Sequence, residues 1–205
     1  MRCMTLKLFL FLPLLSFAQS GSEVFSKLSR PEKCWVVFHP FIAKKAYIIS
    51  LEARNISRTL EKDSTLDHDA DGGRVDAFRH AYWMARLAQE IGWRKARKLG
   101  NAHERGNYLD FKRNISGEEI FSDSAASAMD LFNNQAGIEI GMKNKNLDPS
   151  ALQKLIIEKI LEGGMLIILK DADGNSLRCD GQKIEPGDHS RIWNISRCLV
   201  SSEKK

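Results

Sequence analysis

Apolar residues recur at helical spacing along most of the chain, and residues that start or stop helices bound each such segment. Gly92, Gly106 and the pair Gly163-Gly164 are typical of helix ends, whereas Asp123 and Asp148 are typical of N-caps. The pattern predicts five helices, over residues 40–61, 74–91, 93–104, 123–142 and 149–161.

Two segments lack this helical period. Residues 107–121 mix polar and aromatic types without periodicity, which predicts a loop. The run MLIILK at 165–170 predicts a short strand, DADGN at 171–175 a turn, and SLRC at 176–179 the partner strand. The predicted fold class is therefore mostly α: a helical domain at 19–162 and a short strand-containing tail at 163–205, with a small C-terminal β-hairpin region.

The first 18 residues have the features of a signal peptide. The apolar run Leu8–Leu15 follows a basic start, and a small-x-small pattern ends at Ala18, which predicts cleavage before Gln19. The run is too short for a transmembrane anchor, which needs about 20 apolar residues. We therefore expect an exported protein, secreted or periplasmic, without a transmembrane segment.

Composition narrows the expected partners. The net charge is +5, removal of Arg2 and Lys7 with the signal peptide lowers it by two, and the basic residues are scattered along the chain. Nucleic acid is therefore not an expected partner, because binding it needs a concentrated basic surface. The expected partner is a substrate or protein of the cell envelope or of a target cell.

Export also permits a disulfide. Cys179 and Cys198 form the most economical pair, which closes a small C-terminal loop, although other pairings remain open. Cys34 lies in the apolar stretch CWVVF and is expected to be buried and inert. No CxxC spacing occurs, so a metal–thiolate site is not expected.

Three of the predicted helices carry polar groups on faces that should be buried. Asp76 and His80 lie four residues apart, on one face with Trp83 and Leu87. The next helix ends in His103 and Glu104, with the histidine expected to point inward. In the helix at 123–142, a polar stripe of Asp130, Asn133 or Asn134, and Gly137 lies beside apolar residues. Arg79 is expected to pair with an acidic group.

Two interpretations of these groups compete. They form either a buried hydrogen-bond network that fixes the helices, or a site that activates water. In the second case the candidate catalytic residues are His80, Asp130 and Asp76. The candidate metal ligands are His80, His103, Glu104 and Asp130, and they suit a divalent ion such as zinc or manganese.

Calcium is a less favoured cofactor, suggested by the acidic loop DHDADGG. Asp67, Asp69 and Asp71 alternate there, but an EF-hand would need a glutamate at the position that Phe78 holds. The competing interpretation is an acidic turn that caps the following helix.

The blocks DAFRHAYW at 76–83, NAHE at 101–104 and MDLFNN at 129–134 resemble an uncharacterised bacterial domain with the pattern DAFRHAxW … DAHE … MDLHNN. The resemblance covers about residues 70–142. It implies an exported, toxin-associated helical domain without an assigned reaction. The chain departs from the pattern at Asn101, where the family has Asp, and at Phe132, where it has His. If that histidine binds metal in relatives, its absence here weakens the metal interpretation.

A looser similarity links the chain to secreted phospholipases A2, which orient a helical histidine with an aspartate from a second helix. In that comparison His80 is the base and Asp130 orients it, but Ala81 stands where those enzymes carry an aspartate. The chain lacks GxSxG, P-loop and GxGxxG motifs. The two functional hypotheses are a hydrolase of an ester, phosphoester or amide, and a non-enzymatic exported binding domain with a structural polar network.

Overall fold

The computed structural model describes residues 21–113, 123–184 and 193–203, and these are mostly helical. The predicted signal peptide lies outside these ranges, as do residues 114–121 of the predicted loop. The elements are α1 (Arg30–Phe38), α2 (Pro40–Leu60), α3 (Arg74–Ile91), α4 (Trp93–Arg113), α5 (Ser124–Lys143), α6 (Pro149–Leu161), β1 (Leu166–Ile168) and β2 (Leu199–Ser201). None of the described helices is long and apolar enough to cross a membrane.

Four helices begin and end close to their predicted positions, because capping residues set their boundaries. The Asp123 side chain accepts hydrogen bonds from two backbone N–H groups at the start of α5, and Asp148 does the same for α6. Gly92, with a φ of 86°, ends α3 in a conformation that other residues rarely adopt. These bounds confirm the helical pattern for α2, α3, α5 and α6.

The prediction for α4 was wrong at its C-terminus. The helix continues to Arg113, so residues 107–113 are helical rather than a loop. Gly106 is a site of close helix contact rather than a stop, because a Cβ there would overlap the side chain of Ser29. The pattern also missed α1, which begins with a capping box formed by Ser29 and Glu32.

Helix α3 is the centre of the domain and packs against α2, α4, α5 and α6. Its closest approach is to α5, where a Cβ on Gly137 or Gly141 would overlap the backbone carbonyl of Ala81 or Ala85. The side chains around this contact are fully buried, so the two helices are held at a short, fixed separation. The residues that form the candidate site lie on this interface.

The tail forms a small antiparallel sheet, but its pairing differs from the predicted one. Strand β1 pairs with β2, so that Ile167 lies opposite Val200. The predicted partner SLRC makes only isolated bridges, from Ser176 to Lys170 across the predicted turn at 171–175 and from Leu177 to Lys183. The β2 segment lies much farther along the chain than a tight hairpin allows, and turn signals cannot reveal such a pairing.

The disulfide between Cys179 and Cys198 is present, as predicted. The expectation that Cys34 is buried was wrong, since its side chain is exposed. Cys34 lies on α1 directly before Trp35, which is buried, and adjacent helical residues point about 100° apart. An apolar run on a helix therefore exposes some of its members.

Candidate functional site

Helices α3 and α5 bring Asp76, His80 and Asp130 together, and we call these residues the acid–histidine triad. His80 Nε2 lies 3.3 Å from Asp130 Oδ1 and 3.7 Å from Asp76 Oδ1. Each residue offers one potential ligand atom, and the three atoms lie within 4.8 Å of one another. All three side chains are at most 10% exposed, so the triad is enclosed by the helices that build it.

The contact of the second ring nitrogen of His80, Nδ1, determines which tautomer the imidazole adopts. Nδ1 lies 3.2 Å from the side-chain oxygen of Asn134, one helical turn after Asp130. Because an amide oxygen only accepts, Nδ1 carries the proton in this arrangement, and Nε2 keeps its lone pair. Burial lowers the pKa of His80 well below its usual value, and the charge of Arg79 lowers it further, so the ring is neutral.

The two aspartates differ in their partners. Asp76 Oδ2 accepts a hydrogen bond from the backbone N–H of Gly72, and Asp76 Oδ1 is paired with Arg79, as predicted for that arginine. Asp130 Oδ1 is buried and has no hydrogen-bond partner among the described residues. Burial raises the pKa of both carboxyl groups, and for Asp130 the nearby carboxylates of Asp76 and Glu104 raise it further.

Glu104 adds a third buried carboxylate beside the triad. Its Oε2 accepts hydrogen bonds from Asn107 and Ser127, both at 3.3 Å. Its Oε1 is buried without a partner among the described residues. Burial raises the pKa of Glu104, which accordingly lies in the same electrostatic environment as Asp130 without joining the triad.

His103 is near the triad but is bound elsewhere. Its ring centre lies 6.4 Å from that of His80, and its Nδ1 lies 2.9 Å from Glu32 Oε1 on α1. Although burial alone would raise the pKa of Glu32, hydrogen bonds from His103 and Ser29 lower it to about 2. The sequence interpretation missed Glu32, although the capping-box spacing of Ser29 and Glu32 could have located it.

In the acidic loop before α3, the side-chain oxygens of Asp67 and Asp69 have hydrogen-bond partners within the protein. Asp67 accepts hydrogen bonds from the backbone N–H groups of Arg74 and Val75, and thereby caps α3. Lys170 pairs with Asp69 at 2.6 Å and also donates to the backbone carbonyl of Asp71. This arrangement matches the predicted acidic turn that caps the following helix.

The two positions that depart from the resembled pattern lie outside the triad. Asn101 is exposed on α4. Phe132 is nearly half exposed on α5, two residues after Asp130 and therefore about 200° around the helix from it. In this chain, position 132 does not face His80.

The residues of the site lie within a segment that matches a known protein family. A family model described as "Domain of unknown function (DUF6973)" matches residues 33–164. The chain belongs to this family. The DUF6973 match begins within α1, ends before β1, and includes all three triad residues. Neither a curated protein nor a solved structure matches the chain. The family description assigns no activity, so the function has to be argued from the site.

Proposed function

We propose that this DUF6973 domain binds one divalent metal ion, zinc or manganese, through Asp76, His80 and Asp130. We further propose that it is a hydrolase of an ester, phosphoester or amide in the cell envelope or in a target cell. The observation that carries the proposal is the charge balance of the site. Three buried carboxylates, of Asp76, Asp130 and Glu104, lie beside a neutral histidine, and the guanidinium of Arg79 contacts one of them.

Burying three carboxylates beside a single guanidinium is destabilising unless a further positive charge is bound among them. A buried carboxylate without a counter-charge either takes up a proton or binds a cation. One divalent ion at the triad would offset two of the negative charges at once. The same donor set, one imidazole nitrogen and two carboxylate oxygens, is common in catalytic zinc and manganese sites.

The orientation of His80 supports the same conclusion. With Nδ1 bound to Asn134, the Nε2 lone pair faces Asp130 Oδ1 at 3.3 Å, so two acceptors face each other whenever the Asp130 carboxyl group is ionised. A cation between them would turn this repulsion into two bonds. Asn134 then has the role of a residue that fixes the orientation of a histidine ligand.

The proposed ligand set replaces part of the set expected from the sequence. Asp76 joins His80 and Asp130, whereas His103 is held by Glu32. Three protein ligands leave a coordination position for water, and a bound metal ion lowers the pKa of that water. Glu104, with one free carboxylate oxygen in the same buried environment, is the residue to which we assign acceptance of the water's proton.

A second candidate function, a non-enzymatic binding domain with a structural network, is favoured by the Asp76–Arg79 pair and by the enclosure of the triad. In this version the Asn134 amide has the reverse orientation. Its nitrogen then donates to His80 Nδ1, and Nε2 donates to Asp130. The carboxyl groups hold protons instead of a metal ion.

Measurement of bound metal distinguishes the metal-dependent hydrolase from the non-enzymatic binding domain. We expect the purified protein, loaded with Zn²⁺ or Mn²⁺ and then desalted, to retain one ion per chain by elemental analysis. His80→Gln should lose the ion, whereas the matched control His103→Gln should retain it. A chelator should lower the melting temperature of the wild type and leave His80→Gln unchanged. Retention of the ion by His80→Gln, or none in the wild type, would contradict the metal site.

Hydrolysis is tested separately on the metal-loaded protein, with p-nitrophenyl esters, a p-nitrophenyl phosphodiester and a chromogenic amide. We expect turnover of one of these classes that both the chelator and His80→Gln abolish. Stoichiometric metal without turnover of any of the three would contradict the enzyme hypothesis and leave the metal site standing.

A further inference from the structure

The corner between α1 and α2 exposes an unusual amount of apolar surface. Phe41 is 99% exposed, Phe38 75% and Val37 63%. Phe41, Ile48 and Leu51 follow each other at helical spacing, so the exposed surface continues from the corner along one face of α2. We call this surface the corner patch; it consists of Val37, Phe38, Phe41, Tyr47, Ile48 and Leu51.

Basic residues predominate among the exposed charged residues of the two helices that carry the corner patch. The exposed charged residues of α1 and α2 are all basic: Arg30, Lys44, Lys45, Arg54 and Arg58. Lys45 is paired with Glu90 of α3 at 3.0 Å, which leaves the other four without that neutralising contact. The two acidic residues of these helices point elsewhere, since Glu32 binds His103, and Glu52 binds Tyr82 and Arg86. Lys44 lies within the apolar face itself, between Phe41 and Ile48.

We propose that the corner patch docks the domain on the surface of an anionic lipid bilayer. A helix face with large apolar side chains and basic neighbours is typical of interfacial membrane binding. The phenylalanines at the corner would enter the headgroup region. The charged ends of the neighbouring lysines and arginines would contact the lipid phosphates. The described helices contain no membrane-spanning candidate, so this contact is peripheral.

The same charges disfavour a second copy of the chain as the occupant. A symmetric contact through the corner patch would bring the basic residues of two copies together, and the neighbouring acidic residue Glu90 is already paired with Lys45 of its own chain. A bilayer of anionic phospholipid supplies the opposite charge and an apolar layer at once. An acidic protein would satisfy the charge but would bind without vesicles.

Vesicle flotation tests the proposal with the full chain. We expect the protein to float with phosphatidylcholine vesicles that contain phosphatidylglycerol and to stay in solution with pure phosphatidylcholine. The double variant Phe38→Ser/Phe41→Ser should reduce the bound-to-free ratio at least about tenfold, because it removes the inserted aromatic surface. Lys44→Gln should reduce it about fivefold.

Phe132→Ser is the matched control, because Phe132 is also an exposed phenylalanine but lies on α5, outside the corner patch. It should bind vesicles like the wild type. Circular dichroism should show that all variants are folded, since every replaced side chain is exposed. Absence of flotation, or equal loss in the Phe132 variant, would overturn the proposal. A third outcome would also overturn it: the wild type self-associates, the double variant does not, and neither of them binds vesicles. That result would assign the corner patch to a second copy of the chain.

Discussion

Asn133 and Leu166 exchange two hydrogen bonds, each 2.9 Å long. The amide nitrogen of Asn133 donates to the Leu166 carbonyl, and the Leu166 N–H donates to the amide oxygen, so a helix side chain substitutes for a neighbouring strand. The next residue, Asn134, holds His80 Nδ1. Two consecutive asparagines on α5 therefore attach the tail and orient the triad, which couples the position of β1 to the candidate site.

Asn133→Ala should destabilise the domain by about 1–3 kcal/mol, because it leaves two backbone groups of Leu166 without partners. Urea denaturation measures this change. Asn55→Ala, at an exposed position on α2, is the control and should change the free energy of unfolding by less than about 0.5 kcal/mol. Equal effects of the two substitutions would show that the side-chain pairing contributes nothing to stability.

Gly137→Ala should destabilise the domain by at least about 1 kcal/mol. The added methyl group overlaps the Ala81 carbonyl, and that overpacking exceeds the gain of about 1 kcal/mol in helix propensity. Gly100→Ala is the matched control, since its Cβ meets the flexible end of Met84 at 3.1 Å and should be close to neutral. Thermal or urea unfolding of both variants checks the prediction. A Gly137→Ala protein as stable as the wild type would show that α3 and α5 can separate easily.

Glu32→Gln should destabilise the protein at neutral pH by about 1–3 kcal/mol, since it removes the carboxylate that binds His103. The pKa of Glu32 is lowered from 4.5 to about 2 by its hydrogen bonds, against the effect of burial. A lowered acid pKa stabilises the fold above the unfolded pKa, and this stabilisation is lost as the pH falls through the folded one. The difference between wild type and variant should therefore be constant above about pH 4.5 and shrink toward pH 2.

The control for this pH profile is Glu23→Gln, which removes an exposed carboxylate paired with Lys27. Surface pairs contribute little, so its profile should match that of the wild type. A Glu32→Gln difference that persists unchanged to pH 2 would mean that the lost contact is not electrostatic.

Cys34 should react with iodoacetamide in the native protein, whereas Cys179 and Cys198 should react only after reduction. Reduction should also lower stability by about 3 kcal/mol, because the bridge closes a loop across 19 positions and restricts the unfolded chain. Peptide mapping by mass spectrometry identifies the labelled residues. Labelling of Cys198 in unreduced native protein would contradict the disulfide.

Local signals predicted most of the fold. The N-caps Asp123 and Asp148 and the terminating Gly92 act within one helical turn, so the sequence alone predicted the helices that they bound. Gly106 misled the prediction because its role, contact with Ser29 on another helix, is tertiary. The pairing of β1 with β2 is likewise a long-range contact, which turn chemistry does not encode.

For the candidate site too, the sequence predicted the features that depend on local spacing and missed those that depend on distant contacts. The i, i+4 spacing of Asp76 and His80 predicted a shared face, and the polar stripe on α5 predicted the approach of Asp130. The sequence could not show that Glu32, on a helix that it did not predict, takes up His103. Whether a histidine near a site joins it depends on such distant partners.

The contact of Gly137 and Gly141 with the carbonyls of α3 has a consequence for protein engineering. The triad and Asn134 all belong to α3 and α5, and the close approach of these helices depends on two glycines that leave room for main-chain carbonyls. The two helices are therefore a suitable pair to transfer together into another protein. Grafted at the same separation into another helical scaffold, two segments of 18 and 20 residues would carry the whole triad with its orienting amide.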